Sequence, residues 1–78
     1  MIFDIEKLRK DLITKRVIEE KLSLRQTAEQ SGISPATLSR IEHSRLPDVE
    51  TFAKICVWLG TDARTYFSIV GKRQDGFK

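Results

Sequence analysis

The sequence contains one cysteine, one histidine and one tyrosine in 78 residues. Cys56 alone makes neither an intramolecular disulfide nor a cysteine-based zinc site, which suits a reducing compartment. The phosphate-cradling G-x-x-x-x-G-K-[ST], dinucleotide-binding G-x-G-x-x-G and zinc-binding H-E-x-x-H patterns do not occur. A nucleophile would need Cys56 or a serine beside His43, and no local pattern supports one. The chain is therefore read as a non-enzyme with no cofactor and no metal. No apolar run approaches the roughly 18 residues of a membrane span. Asp4 and Glu6 make the first eight residues unlike a secretory leader, so a cytoplasmic location is expected. Fourteen basic against eleven acidic residues leave a net charge of +3, too balanced to name a partner by itself. A chain this short buries only about 60% of its unfolded surface, and a second copy of itself would add to that.

What is present is helical punctuation. Residues 4–21 are charged, with Ile5, Leu8, Leu12, Ile13 and Val17 on one broad side of a helix. Ser23 to Gln26 is an S-x-x-Q capping box opening a short helix, which Gly32 ends in a left-handed conformation. Ser34-Pro35 opens the next helix, Ser as cap and Pro at its first position. Asp48 caps a fourth helix, with Val49, Phe52, Ala53, Cys56 and Leu59 at helical spacing and Gly60 at its end. A last short helix is expected over residues 63–67, although Tyr66 to Val70 is weakly strand-like. Residues 71–78 read as a flexible tail. The expectation is an all-α, compact five-helix domain over residues 9–70, preceded by an extension, residues 1–8. Leu38, Ile41, Val49, Phe52, Cys56 and Leu59 are the expected core.

The informative stretch is residues 24–43, LRQTAEQSGISPATLSRIEH. It places two short helices around a tight turn with Gly, the helix-turn-helix arrangement. Ala28 is small where the helices approach. Gly32 supplies positive φ. Ile33, Leu38 and Ile41 are apolar where the second helix is anchored. With residues 46–60 behind it, this pattern resembles the lambda-repressor-like, XRE-type helix-turn-helix family across residues 9–68.

The resemblance implies a regulator of transcription that binds double-stranded DNA, commonly as a homodimer, with the third helix in the major groove. Carried over residue by residue, Pro35, Ala36, Thr37, Ser39 and Arg40 stand where members read bases. An Arg at 40 can meet guanine O6 and N7 together. The amides near Leu24 and Arg25, with Ser34, His43 and Arg45, stand at phosphate-contacting places. Trp58, Phe67, Ile69 and Val70, if exposed, would form a dimer surface. Leu24 stands where many members carry Gln, and Ser44 where Gly is usual. Glu42 commonly pairs with an Arg late in the first helix. Here ungapped alignment offers Val17, with Arg16 one residue away, and whether Arg16 reaches Glu42 stays open.

The expected function is a sequence-specific repressor of phage or bacterial type, acting at the nucleoid as a dimer on an inverted repeat. Two rivals stand beside it. One is an antitoxin that also binds a toxin protein. The other is a protein-interaction module on the same fold. Acidic residues on the recognition face would favour that module, and positions 35, 36, 37, 39 and 40 carry none.

Overall fold

Asp4 starts the first helix. Its carboxylate accepts the Lys7 amide hydrogen at 3.0 Å, and α1 runs Ile5–Ile13. The computed structural model describes residues 2–68. The expected tail, 71–78, and the dimer candidates Ile69 and Val70 lie outside the described residues. α1 passes directly into a π-helical stretch, Thr14–Glu19, where Glu20 N–H donates to Lys15 O at 2.8 Å in the i→i+5 pattern.

The capping box forms as expected. Ser23 Oγ accepts from Gln26 N–H at 3.1 Å, and Gln26 Oε1 accepts from Ser23 N–H at 2.9 Å. This starts α2, Leu24–Ser31, and Gly32 ends it at φ 77°. Ser34 caps α3, Pro35–Glu42. Asp48 caps α4, Val49–Leu59, accepting from Thr51 N–H at 2.8 Å.

The fifth helix is a correction. Residues Ala63–Tyr66 form one 3₁₀ turn, so the described residues hold four α-helices, not five. Asp62 accepts from Arg64 N–H at 2.8 Å, tightening the turn at once. Phe67 then leaves it at φ −121°, ψ 143°, in extended backbone. The weakly strand-like end does become a strand: β2, Phe67–Ser68, pairs antiparallel with β1, Ile2–Phe3. Phe3 lies opposite Phe67 and Ile2 opposite Ser68. The small sheet qualifies the all-α expectation and ties residues 2–3 to the far end of the domain.

The core holds Leu8, Leu12, Ile33, Leu38, Ile41, Ile55, Cys56 and Tyr66, all buried. Phe52 and Leu59 pack half-buried against it. Val49 is the exception among the expected core residues, at 85% exposure. It shares the apolar face of α4, but as the helix's first residue it projects past the core's edge. Ile55, which the spacing argument passed over, is fully buried. Thr27 is fully buried too, and its hydroxyl donates to Ser23 O at 3.0 Å, so the polar group is not left orphaned. Ala28 is half-buried at the α2–α3 approach.

Candidate nucleic-acid interface

Leu38 and Ile41 fix the orientation of α3 by pointing into the core. At about 100° per residue the opposite side carries Ala36, Arg40 and His43, and all three are exposed. Pro35 is also exposed, while Thr37 and Ser39 flank the stripe half-buried. The candidate base-reading residues therefore share one outward surface. Ser34, Arg25 and Arg45 are exposed beside it. Leu24 differs: its side chain packs against the core, which leaves only its backbone amide for a phosphate.

Local hydrogen bonds set what each group can offer. Ser34 Oγ accepts from Thr37 N–H and donates to Thr37 Oγ1 at 2.8 Å. The Thr37 hydroxyl proton is thereby left to point outward. His43 Nδ1 lies 2.7 Å from Ser39 O. A carbonyl only accepts, so Nδ1 carries the proton and Nε2 faces outward. Among the described residues Arg25, Arg40 and Arg45 take part in no ion pair.

The one acid of α3 is held away from this surface. Glu42 turns inward and takes both Arg16 Nε at 2.6 Å and Arg16 Nη2 at 2.8 Å. Arg16 Nη1 donates further to Leu22 O at 3.0 Å. The open question of the sequence is thus settled: Arg16 reaches Glu42. Arg16 follows Leu8 and Leu12 at i, i+4, i+8 spacing, on the buried side of the first helix, and lies within the π-helical stretch.

Behind α3, the loop to α4 is shaped by Ser44, which adopts φ 66°. Arg45 N–H donates to Arg40 O and Ser44 N–H to Ile41 O, both at 2.9 Å, the two closing bonds of a Schellman end. Ser44 Oγ donates to Glu6 Oε2 at 2.6 Å. That bond, then Arg9, holds the Glu6 carboxyl below its usual pKa. The residue standing where Gly is usual thus anchors the loop of Arg45 to α1.

Some contributors escaped the sequence reading. Glu29 lines the open groove of about 540 Å³ with Arg25, Ser34 and Pro35, and sets a negative charge beside it. Lys54 Nζ donates to Gly32 O at 3.4 Å across the turn. Only the three-dimensional approach of α4 to the turn reveals this. Trp58, a dimer candidate, is occupied within its own protomer. Its indole N–H donates to Gln30 Oε1 at 3.0 Å, and Lys15 Nζ sits 4.6 Å from the ring centroid. Phe67 is 40% exposed and packs against Phe3 at a tilt and against Phe52 edge-on.

Among the described residues no group of His, Cys, Asp and Glu could hold a metal ion, and no helix is long and apolar enough to cross a membrane. No curated protein and no solved structure matches the chain. A family model described as helix-turn-helix matches residues 12–64, from the buried Leu12 through α2, α3 and α4. On that match and this geometry, the chain belongs to the XRE-type helix-turn-helix family of DNA-binding transcription regulators.

Proposed function

We propose that the protein is a cytoplasmic repressor that reads duplex DNA as a two-fold dimer on an inverted repeat. In this reading α3 enters the major groove and residues 9–70 form the binding domain. Arg40 bonds a guanine, and Ala36 or Thr37 meets a thymine methyl. Pro35 and Ser39 shape the fit. The amides of Leu24 and Arg25 take phosphates, with Ser34, His43 and Arg45. One observation carries the reading. Ala36, Arg40 and His43 share the outward stripe of α3, while Arg16 holds its only acid inward. Few side chains on that stripe hydrogen-bond to bases, so DNA shape contributes much of the discrimination. Half-sites would be about 34 Å apart, one helical turn, and repression would follow from covering a promoter.

Selection of bound duplexes from a random-sequence pool at near-physiological salt tests this. Enrichment of a two-fold symmetric motif is the expected result. A folded protein that enriches nothing would sink the reading and leave a protein partner, such as a toxin, as the target.

A further inference from the structure

Ion pairing sorts the basic residues of the domain. Among the described residues Lys7, Arg9, Arg16, Lys54 and Arg64 are each paired with a carboxylate. Lys15 is engaged by Trp58, whose carbonyl accepts from its ammonium and whose ring lies beneath it. Lys10 lines a hollow with Asp4, Glu6 and Asp11. That leaves Lys21, Arg25, Arg40 and Arg45, all exposed and in no ion pair. All four lie within residues 21–45, the segment that builds the helix-turn-helix. Arg25, Arg40 and Arg45 have places in the DNA reading above. Lys21 has none.

Lys21 is also held in place relative to α3. Leu22 N–H donates to Arg16 O at 2.7 Å, and Leu22 O accepts from Arg16 Nη1 at 3.0 Å. The same guanidinium grips Glu42 through Nε and Nη2. One arginine therefore joins the turn that carries Lys21 to the end of the recognition helix. On the other side of the turn Ser23 caps α2, and the amides of Leu24 and Arg25 follow it. Two peptide steps put the Lys21 Cα within about 8 Å of the Ser23 Cα. Its flexible four-carbon stem then carries the ammonium to a phosphate on those amides or to the next along the strand. The acids that precede it do not close the position off. Glu19 lines a hollow with Lys15, Leu59 and Thr61, towards the end of α4. Glu20 is exposed beside Lys21, so what favours an anion here is placement and not net charge.

We infer that Lys21 is a further DNA contact, an ammonium that neutralises one backbone phosphate ahead of α2 and is kept in register with α3 by Arg16. The inference rests on the reading of α3 in the major groove. It needs no dimer and no particular operator, because a phosphate contact carries no sequence information.

Titrations of the full chain against a mixed-sequence duplex of about 30 base pairs, room for two half-sites one turn apart, across a series of salt concentrations test it. Lys21→Gly should make the slope of log K against log salt shallower by about 0.9, the share of one phosphate, and weaken binding about eightfold near 0.1 M salt. Lys21 adopts φ 53°, where glycine is at ease, so this variant folds, and circular dichroism checks it. Lys21→Arg should keep the wild-type slope. Lys10→Ala makes the same change in net charge away from α2 and should leave the slope as it is. An unchanged slope for Lys21→Gly overturns the inference. So does an equal drop for Lys10→Ala, which makes the effect one of overall charge. A wild type that binds no duplex at any salt removes the DNA reading and this contact with it, whereas failure at Lys21 alone leaves that reading standing.

Discussion

Arg16 and Glu42 meet through two hydrogen bonds of 2.6 and 2.8 Å, joining the π-helical end of the first helix to the last residue of α3. The pair is shielded, with 15% and 12% of the two side chains exposed. It does two things at once. It ties α3 to the first helix and keeps a negative charge off the outward stripe of α3.

Arg16→Ala should destabilise the domain by about 2–4 kcal/mol, because it strands a shielded carboxylate. Arg16→Lys should recover only part, since an ammonium cannot supply the fork. Urea denaturation of both variants checks this. An unchanged midpoint for Arg16→Ala would show that the pair contributes nothing to the packing of α3.

Arg40→Ala should leave stability within about 0.5 kcal/mol, as its side chain is exposed. On the selected site it should cost about 1–3 kcal/mol of binding and relax one base preference. Binding titrations against single-base variants of the site give the answer. Equal loss on every sequence would reassign Arg40 to the phosphates.

Arg45→Ala should weaken binding to all duplexes alike and reduce the slope of log K against log salt by about one. The comparison needs titrations at four or more salt concentrations. A slope equal to that of the wild type would remove Arg45 from the interface.

Ser44 separates backbone strain from side-chain bonding. Ser44→Ala keeps the left-handed backbone and loses the bond to Glu6. Ser44→Gly loses the same bond and relieves the strain, so it should be the more stable of the two by about 1 kcal/mol. The bond also lowers the Glu6 pKa from 4.5. Its contribution is therefore present above about pH 4.5 and lost as pH falls through the depressed folded value. Thermal melts between neutral and acid pH should show a shallower acid limb for Ser44→Ala than for the wild type. Identical limbs would rule the bond out in solution.

Tyr66 gives an alkaline counterpart with a clean signal, being the only tyrosine. It is fully buried, its hydroxyl donates to Asp11 Oδ2 at 2.8 Å, and burial pushes its pKa up to about 12. The folded state holds the phenol proton where the unfolded chain, near 10, releases it. Stability should hold below about pH 10 and fall from there towards 12. Phenolate absorbance should appear with unfolding or near pH 12; its appearance at pH 10 in the folded protein would contradict the burial.

The helix-turn-helix was legible because its signals are local. Ser23 with Gln26, Gly32 and Ser34-Pro35 each determine a cap or a turn within four residues. Leu38 and Ile41 then orient α3, so the exposure of Ala36 and Arg40 followed from periodicity. The departures have long-range causes. Val49 has the right spacing for a core residue, yet nothing covers the end of the helix it begins. The last turn became 3₁₀ because Phe67 is drawn into pairing with Phe3, 64 positions away. Arg16 meets Glu42 across 26 positions, a contact set by the packing of α3 against the first helix and not by local spacing.

The pairing of Phe3 with Phe67 closes the described chain into a ring, with its first and last strands side by side. Residues 2 and 68 are therefore neighbours, so a short linker between them, in place of residues 69–78, would let new termini be opened at the exposed turn around Lys21. The same geometry means that a tag fused just ahead of Ile2 emerges beside the phenylalanine cluster.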